Sequence, residues 1–220
     1  MMRNLVIAMA VAAVCAVGAA SACAAEFHTD GPAFVKGTSV TETSFTFDVG
    51  TVTCEAASFT GEQASTASPV LKLVPSTSGC TGPGFSIVEV DWNGCYQPHR
   101  ITFDPGPPSR FTNRIEISCP TTMFKKDEVE ITFFTLGVRT CTVHIPEQTI
   151  ESGGVYTNGE AEGVKNFTTD YSVSTLQYSQ VAGGGVPCAN ASGTKNGTMT
   201  GQVLVTATNE KKAATSIWVE

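Results

Sequence analysis

Short runs of alternating apolar and polar residues recur along the chain. Phe45, Phe47 and Val49 alternate with Thr46 and Asp48; Gly50 breaks the phase, and Val52 and Cys54 resume it, which marks a turn or bulge. Val70 to Val74 is a short apolar run between Pro69 and Pro75. The same two-residue period is carried by Val88, Val90 and Trp92, by Val129, Ile131 and Phe133, and by Cys141, Val143 and Ile145. Tyr171 and Val173, then Met199, Val203 and Val205, then Ile217 and Val219 lie in further runs. Gly, Pro and Asn clusters punctuate them: Ser78 to Gly84, Asn93-Gly94, Gly153-Gly154, Asn158-Gly159, Gly183 to Gly185 and Asn196-Gly197. No window keeps an i, i+3, i+4 apolar pattern. Many short strands separated by such turns predict an all-β, antiparallel sandwich or barrel.

One hairpin can be placed in register. Cys95 to Phe103 and Phe111 to Cys119 flank the Pro-rich connector Asp104 to Arg110, which cannot continue a ladder. Folding the runs back with Phe103 opposite Phe111 sets Ile101 against Asn113, His99 against Ile115, Gln97 against Ile117 and Cys95 against Cys119. The apolar residues Ile101, Phe103, Phe111, Ile115 and Ile117 then share one face. Opposed Cα atoms stand about 4.5–5.5 Å apart, within reach of a disulfide. Cys95–Cys119 is therefore the expected bridge.

The chain has 8 cysteines. Cys15 and Cys23 fall in residues 1–25, which read as a secretory signal peptide: Arg3 is the lone charge, Leu5 to Ala20 is apolar, and Ala22-Cys23-Ala24 offers a small-residue cleavage site. Ala20-Ser21-Ala22-Cys23 also resembles a bacterial lipobox. Cys23 is then the site of a lipid anchor on the outer face of the membrane, the alternative to free secretion. No second apolar stretch is long enough to span a bilayer. The remaining Cys54, Cys80, Cys95, Cys119, Cys141 and Cys188 are an even set in an exported chain, which implies a disulfide framework. With Cys95–Cys119 assigned, Cys54–Cys80 and Cys141–Cys188 form the working set. A boundary near Thr121–Asp127 would divide the mature chain into β domains at 26–122, with four cysteines, and 123–220, with two. A single sandwich over 26–220 is the alternative.

The segments Val52-Thr53-Cys54, Ser58-Phe59-Thr60-Gly61, Leu73-Val74-Pro75-Ser76, Ser78-Gly79-Cys80, Asn93-Gly94-Cys95-Tyr96 and Ile117-Ser118-Cys119-Pro120 resemble a group of exported, disulfide-containing β-rich proteins of high-GC Gram-positive, actinobacterial-type bacteria. The resemblance spans most of the mature chain. It rests on Cys, Gly and Pro landmarks, and so it implies a stapled scaffold and brings no catalytic residue.

Composition narrows the function classes. Only 15% of residues are charged, against roughly a quarter in average domains. With 30 Thr and 23 Val against six Leu, the chain is not a coiled coil, and its apolar content excludes bulk disorder. The net charge of −7 becomes −8 once Arg3 leaves with the signal, which argues against nucleic acid as a partner.

Chemistry-bearing residues are few. His28, His99 and His144 are the only histidines, and no G-x-S-x-G or H-E-x-x-H signature accompanies them. His144 alternates with core residues and should face solvent, whereas His99 should be partly buried. Glu89/Asp91, Asp127/Glu128/Glu130 and Glu160/Glu162 read as solvated strand faces rather than acid–base pairs. Asn158 to Gly163 echoes the start of a calcium loop, but Thr169 stands where the closing Glu belongs, so it reads as a plain turn. Trp92, Tyr96 and Trp218 are candidates for a sugar platform, although Trp92 continues a core face. Lys125-Lys126 and Lys211-Lys212 sit in turn-like segments. The expectation is a non-enzymatic, exported binding or structural module of the cell surface, with no cofactor and an unidentified extracellular ligand. A secreted hydrolase, and an inhibitor or effector presenting the loop Asp104–Arg110, are the alternatives.

Overall fold

The structure, a computed structural model, describes residues 25–104, 110–120, 127–183, 188 and 194–220. No helix is present among them. The strands are β1 (Phe27–Thr29), β2 (Ala33–Ser39), β3 (Thr43–Phe47), β4 (Gly50–Gln63), β5 (Ala67–Ser68), β6 (Val70–Thr81), β7 (Ile87–Asp91) and β8 (Gln97–Asp104). They continue with β9 (Arg110–Ile117), β10 (Glu128–Thr135), β11 (Val138–Pro146), β12 (Gln148–Ala161), β13 (Val164–Ala182), β14 (Lys195–Thr208), β15 (Ala214–Thr215) and β16 (Ile217–Val219). The all-β antiparallel expectation holds, and the ladders give it a barrel form. They run β14-β2-β4-β6-β8-β9-β12-β13, and β13 pairs back to β14, so the sheet closes on itself. Strands β2 and β3 share one place in the ring, since each pairs with both β14 and β4.

Period-2 patterning explains the closure. β2 reads Ala33, Val35 and Gly37 inward against Phe34, Lys36 and Thr38 outward, with alternate residues buried. A ring of eight strand positions leaves an interior that side chains just fill. Phe27, from the small sheet β16-β1-β5, reaches that interior and meets the rings of Tyr156 and Phe167 at 5.6 and 5.9 Å. The 19-residue β13 runs past the ring, and its last residues pair with β11, which begins a wing ordered β11-β10-β7.

The hairpin β8–β9 has the predicted register, with Phe103 opposite Phe111, Ile101 opposite Asn113 and His99 opposite Ile115. All three expected disulfides are present, with Cα–Cα distances of 3.9 Å for Cys54–Cys80, 4.1 Å for Cys95–Cys119 and 5.5 Å for Cys141–Cys188. The ladders β9–β12, β2–β14, β3–β14 and β7–β10 each join a strand before residue 122 to one after residue 123. A division into 26–122 and 123–220 therefore cuts through hydrogen-bonded sheet.

Several expected turns lie elsewhere. The β12–β13 turn is Glu162-Gly163, both at positive φ, and not Asn158-Gly159, which lies within β12. The Asn158 side chain instead imitates a strand: its amide donates to the Val219 carbonyl (2.7 Å) and its oxygen accepts from the Val219 N–H (2.9 Å). Gly154 and Gly197 are strand residues as well. A Cβ at Gly154 would stand 2.4 Å from the Asp170 carbonyl oxygen, and one at Gly197 would stand 2.7 Å from that of Thr46. These glycines serve close approach of backbones rather than reversal of the chain. Ser78 to Thr81 continues β6, so only the end of that cluster turns. Asn93-Gly94 does reverse the chain, at φ 48° and 75°, and delivers Cys95 to its partner.

Candidate functional site

Two of the three histidines sit in polar clusters, and the two clusters differ in access. His99 points inward from β8 and is buried. Its Nδ1 lies 3.2 Å from both Tyr156 Oη and Asn113 Nδ2. Asn113 Nδ2 can only donate, so Nδ1 is the acceptor and the neutral ring carries its proton on Nε2. Burial beside uncharged partners holds the imidazole at about 4, below its ordinary 6.5. Burial likewise pushes the Tyr156 phenol well above 10. His99 Nε2, Thr77 Oγ1, Trp92 Nε1 and Thr169 Oγ1 have no protein partner, and all four residues line one interior cavity with apolar neighbours such as Phe45, Leu71 and Met199. That cavity offers about 20 Å³ to the centre of a water molecule, room for a water and not for a substrate.

His144 points to the other side of the wing. On β10, Glu130 is its direct cross-strand partner, and Glu128 shares the face two residues away. The Nδ1 of His144 lies 2.7 Å from Glu128 Oε1 and 3.5 Å from Glu130 Oε1. Continuing outward, Asp91 of β7 pairs with Glu130; in the other direction Ser179 of β13 pairs with His144. The backbone beneath is fixed at both ends. Asn93 donates its side-chain amide to the Glu128 carbonyl at 3.0 Å, and Cys141 on β11 is bridged to Cys188. Glu128, Glu130 and His144 keep one ligand-type atom each within 4.8 Å of one another. Asp91, Glu128 and Glu130, drawn from two of the carboxylate sets, thus join His144 on one sheet face. His144 does not face open solvent, because its side chain is only 17% exposed between the carboxylates.

The other candidates disperse. His28 stacks on Trp218, and Lys165 lies 4.3 Å over the Trp218 ring. Trp92 is buried in the interior and Tyr96 lies beneath Lys72, so the three aromatics make no common platform. Glu160 pairs with Lys165 across β12–β13, and the residues of the calcium echo are divided between strand and turn. The six cysteines of the framework are all used in disulfides. Loop residues 105–109, Lys125-Lys126 and the leader through residue 24, with Cys23, lie outside the described residues.

One cluster carries no trace in the sequence. Lys195 of β14 forms an ion pair with Asp48, whose backbone N–H donates to Tyr178 Oη at 2.9 Å. The Lys195 ammonium holds the Asp48 carboxyl below the usual carboxylate range, and Asp48 in turn raises Lys195. Compared with known protein families, with curated proteins and with solved structures, the chain finds no match.

Proposed function

We propose that the chain is an exported, disulfide-stapled β-protein that acts outside the cell as a binding or structural module without chemistry of its own. The observation that carries this reading is the separation of the two histidine clusters. His99 and Tyr156, whose acidity burial alters, lie in the interior beside a cavity of about 20 Å³, while the polar row around His144 lies on a sheet face. An acid–base catalyst needs its perturbed group within reach of a substrate. A binding module needs polar groups held in fixed positions on a surface, which the bridged ladders beneath His144 supply. Three disulfides favour an oxidising compartment, and no helix among the described residues is long and apolar enough to cross a membrane. The high-GC Gram-positive origin belongs to the same proposal.

The test is expression of the full chain in a secreting actinobacterial host. Expected are accumulation in the medium or cell-wall fraction, a mature N-terminus near Glu26 or a lipidated Cys23, and mass spectrometry that finds Cys54–Cys80, Cys95–Cys119 and Cys141–Cys188. Retention in the cytosol with free thiols overturns the export reading. Turnover of ester, peptide or glycoside substrates by the purified protein overturns the non-enzymatic one.

A further inference from the structure

From the geometry of the wing we infer that Glu128, Glu130 and His144 form a binding site for a first-row divalent metal ion such as zinc. The inference deepens the binding-module reading by naming a ligand class, and it rests on that reading only for its biological use.

Donor chemistry comes first. One imidazole nitrogen and two carboxylates make a mixed nitrogen–oxygen set, which suits zinc, cobalt and their neighbours better than calcium or magnesium, which take oxygen ligands. Spacing comes second. Arms of about 2.1 Å place adjacent ligand atoms of a tetrahedron about 3.4 Å apart. His144 Nδ1 and Glu130 Oε1 are already 3.5 Å apart. His144 Nδ1 and Glu128 Oε1, at 2.7 Å, are now at hydrogen-bond distance. They need to part by about 0.7 Å, a side-chain adjustment for Glu128, which stands at the start of β10.

Charge is the third argument. Two same-face carboxylates two residues apart repel each other, and a cation held between them relieves that repulsion. A divalent ion bound to both and to a neutral imidazole makes a site of zero net charge. Asp91, next in the row beside Glu130, adds negative potential from the third strand. Preorganisation is the fourth. All three ligands sit on ladder strands rather than on loops, and the Asn93 amide pins the backbone of Glu128. Three protein ligands leave the fourth position of the tetrahedron to solvent or to a group from a partner.

The test is calorimetric titration of the tag-free, disulfide-bonded protein with zinc sulfate, with cobalt chloride absorption as the spectroscopic signature. Expected is saturable one-to-one zinc binding and a visible cobalt band. His144→Gln, and separately the double change Glu128→Gln/Glu130→Gln, should each weaken zinc at least about 100-fold and abolish the cobalt band. Glu160→Gln on β12 should change neither. Near-UV circular dichroism matching the parent shows that each variant is folded. Absence of saturable binding, or zinc binding unchanged in folded His144→Gln, overturns the inference. Calcium binding in place of zinc overturns it as well. None of these outcomes bears on whether the protein is exported, which the N-terminus of the secreted product reads independently.

Discussion

His99 and His144 are each opposed across an antiparallel ladder and each held by two polar side chains, yet they are different chemical objects. His99 faces a phenol and an amide inside the ring, where no charge compensates an imidazolium, so it stays neutral. His144 faces two carboxylates on the wing, an arrangement that favours a cation beside it. The difference arises from which face of its strand each histidine occupies. A one-residue slip of either strand would turn its histidine to the opposite face of its sheet.

Four experiments test this contrast, in descending order of effect. Cys95→Ser/Cys119→Ser releases the hairpin that carries His99 and Asn113. It should cost about 3 kcal/mol in denaturant unfolding while leaving metal binding by the folded protein intact. The second reads the His99 proton. Its folded pKa of about 4 lies below the unfolded 6.5, so the unfolded chain binds more protons between those values. Stability contributed by His99 is fully present above pH 6.5 and falls by about 3 kcal/mol as pH drops to 4. His99→Gln should remove that component, seen as the difference between its urea midpoints and those of the parent across the window. Third, Tyr156→Phe takes away one of the two partners of Nδ1 and should cost about 1–2 kcal/mol in urea at neutral pH. Fourth, Glu128→Gln in the partly exposed row should change stability by less than about 1 kcal/mol, and by less still in roughly 1 M salt. A larger loss there would mean that the wing row is structural in the way the interior cluster is.

What could be read from the sequence was local. The hairpin β8–β9 was legible because folding it back with Phe103 opposite Phe111 puts Ile101, Phe103, Phe111, Ile115 and Ile117 on one face and brings Cys95 to Cys119. The burial of His99 followed from that register. The wing site was not legible, because Asp91, Glu130 and His144 belong to three strands whose mutual registers no short-range pattern specifies. Asn158-Gly159 misled because an Asn side chain can pair with backbone as readily as it can start a turn. Ring closure was hidden for a similar reason, since β2 and β14 pair across most of the chain.

That pairing sets a timetable. Thr206 donates its hydroxyl to the Lys36 carbonyl across 170 positions, and β14 is the strand that joins β13 to β2. Until residues near the C-terminus have been synthesised, the first strands have no partner on that side, and the barrel is an open sheet. A fold with so much non-local pairing also forms slowly. The chain therefore completes its barrel only after β14 has been made.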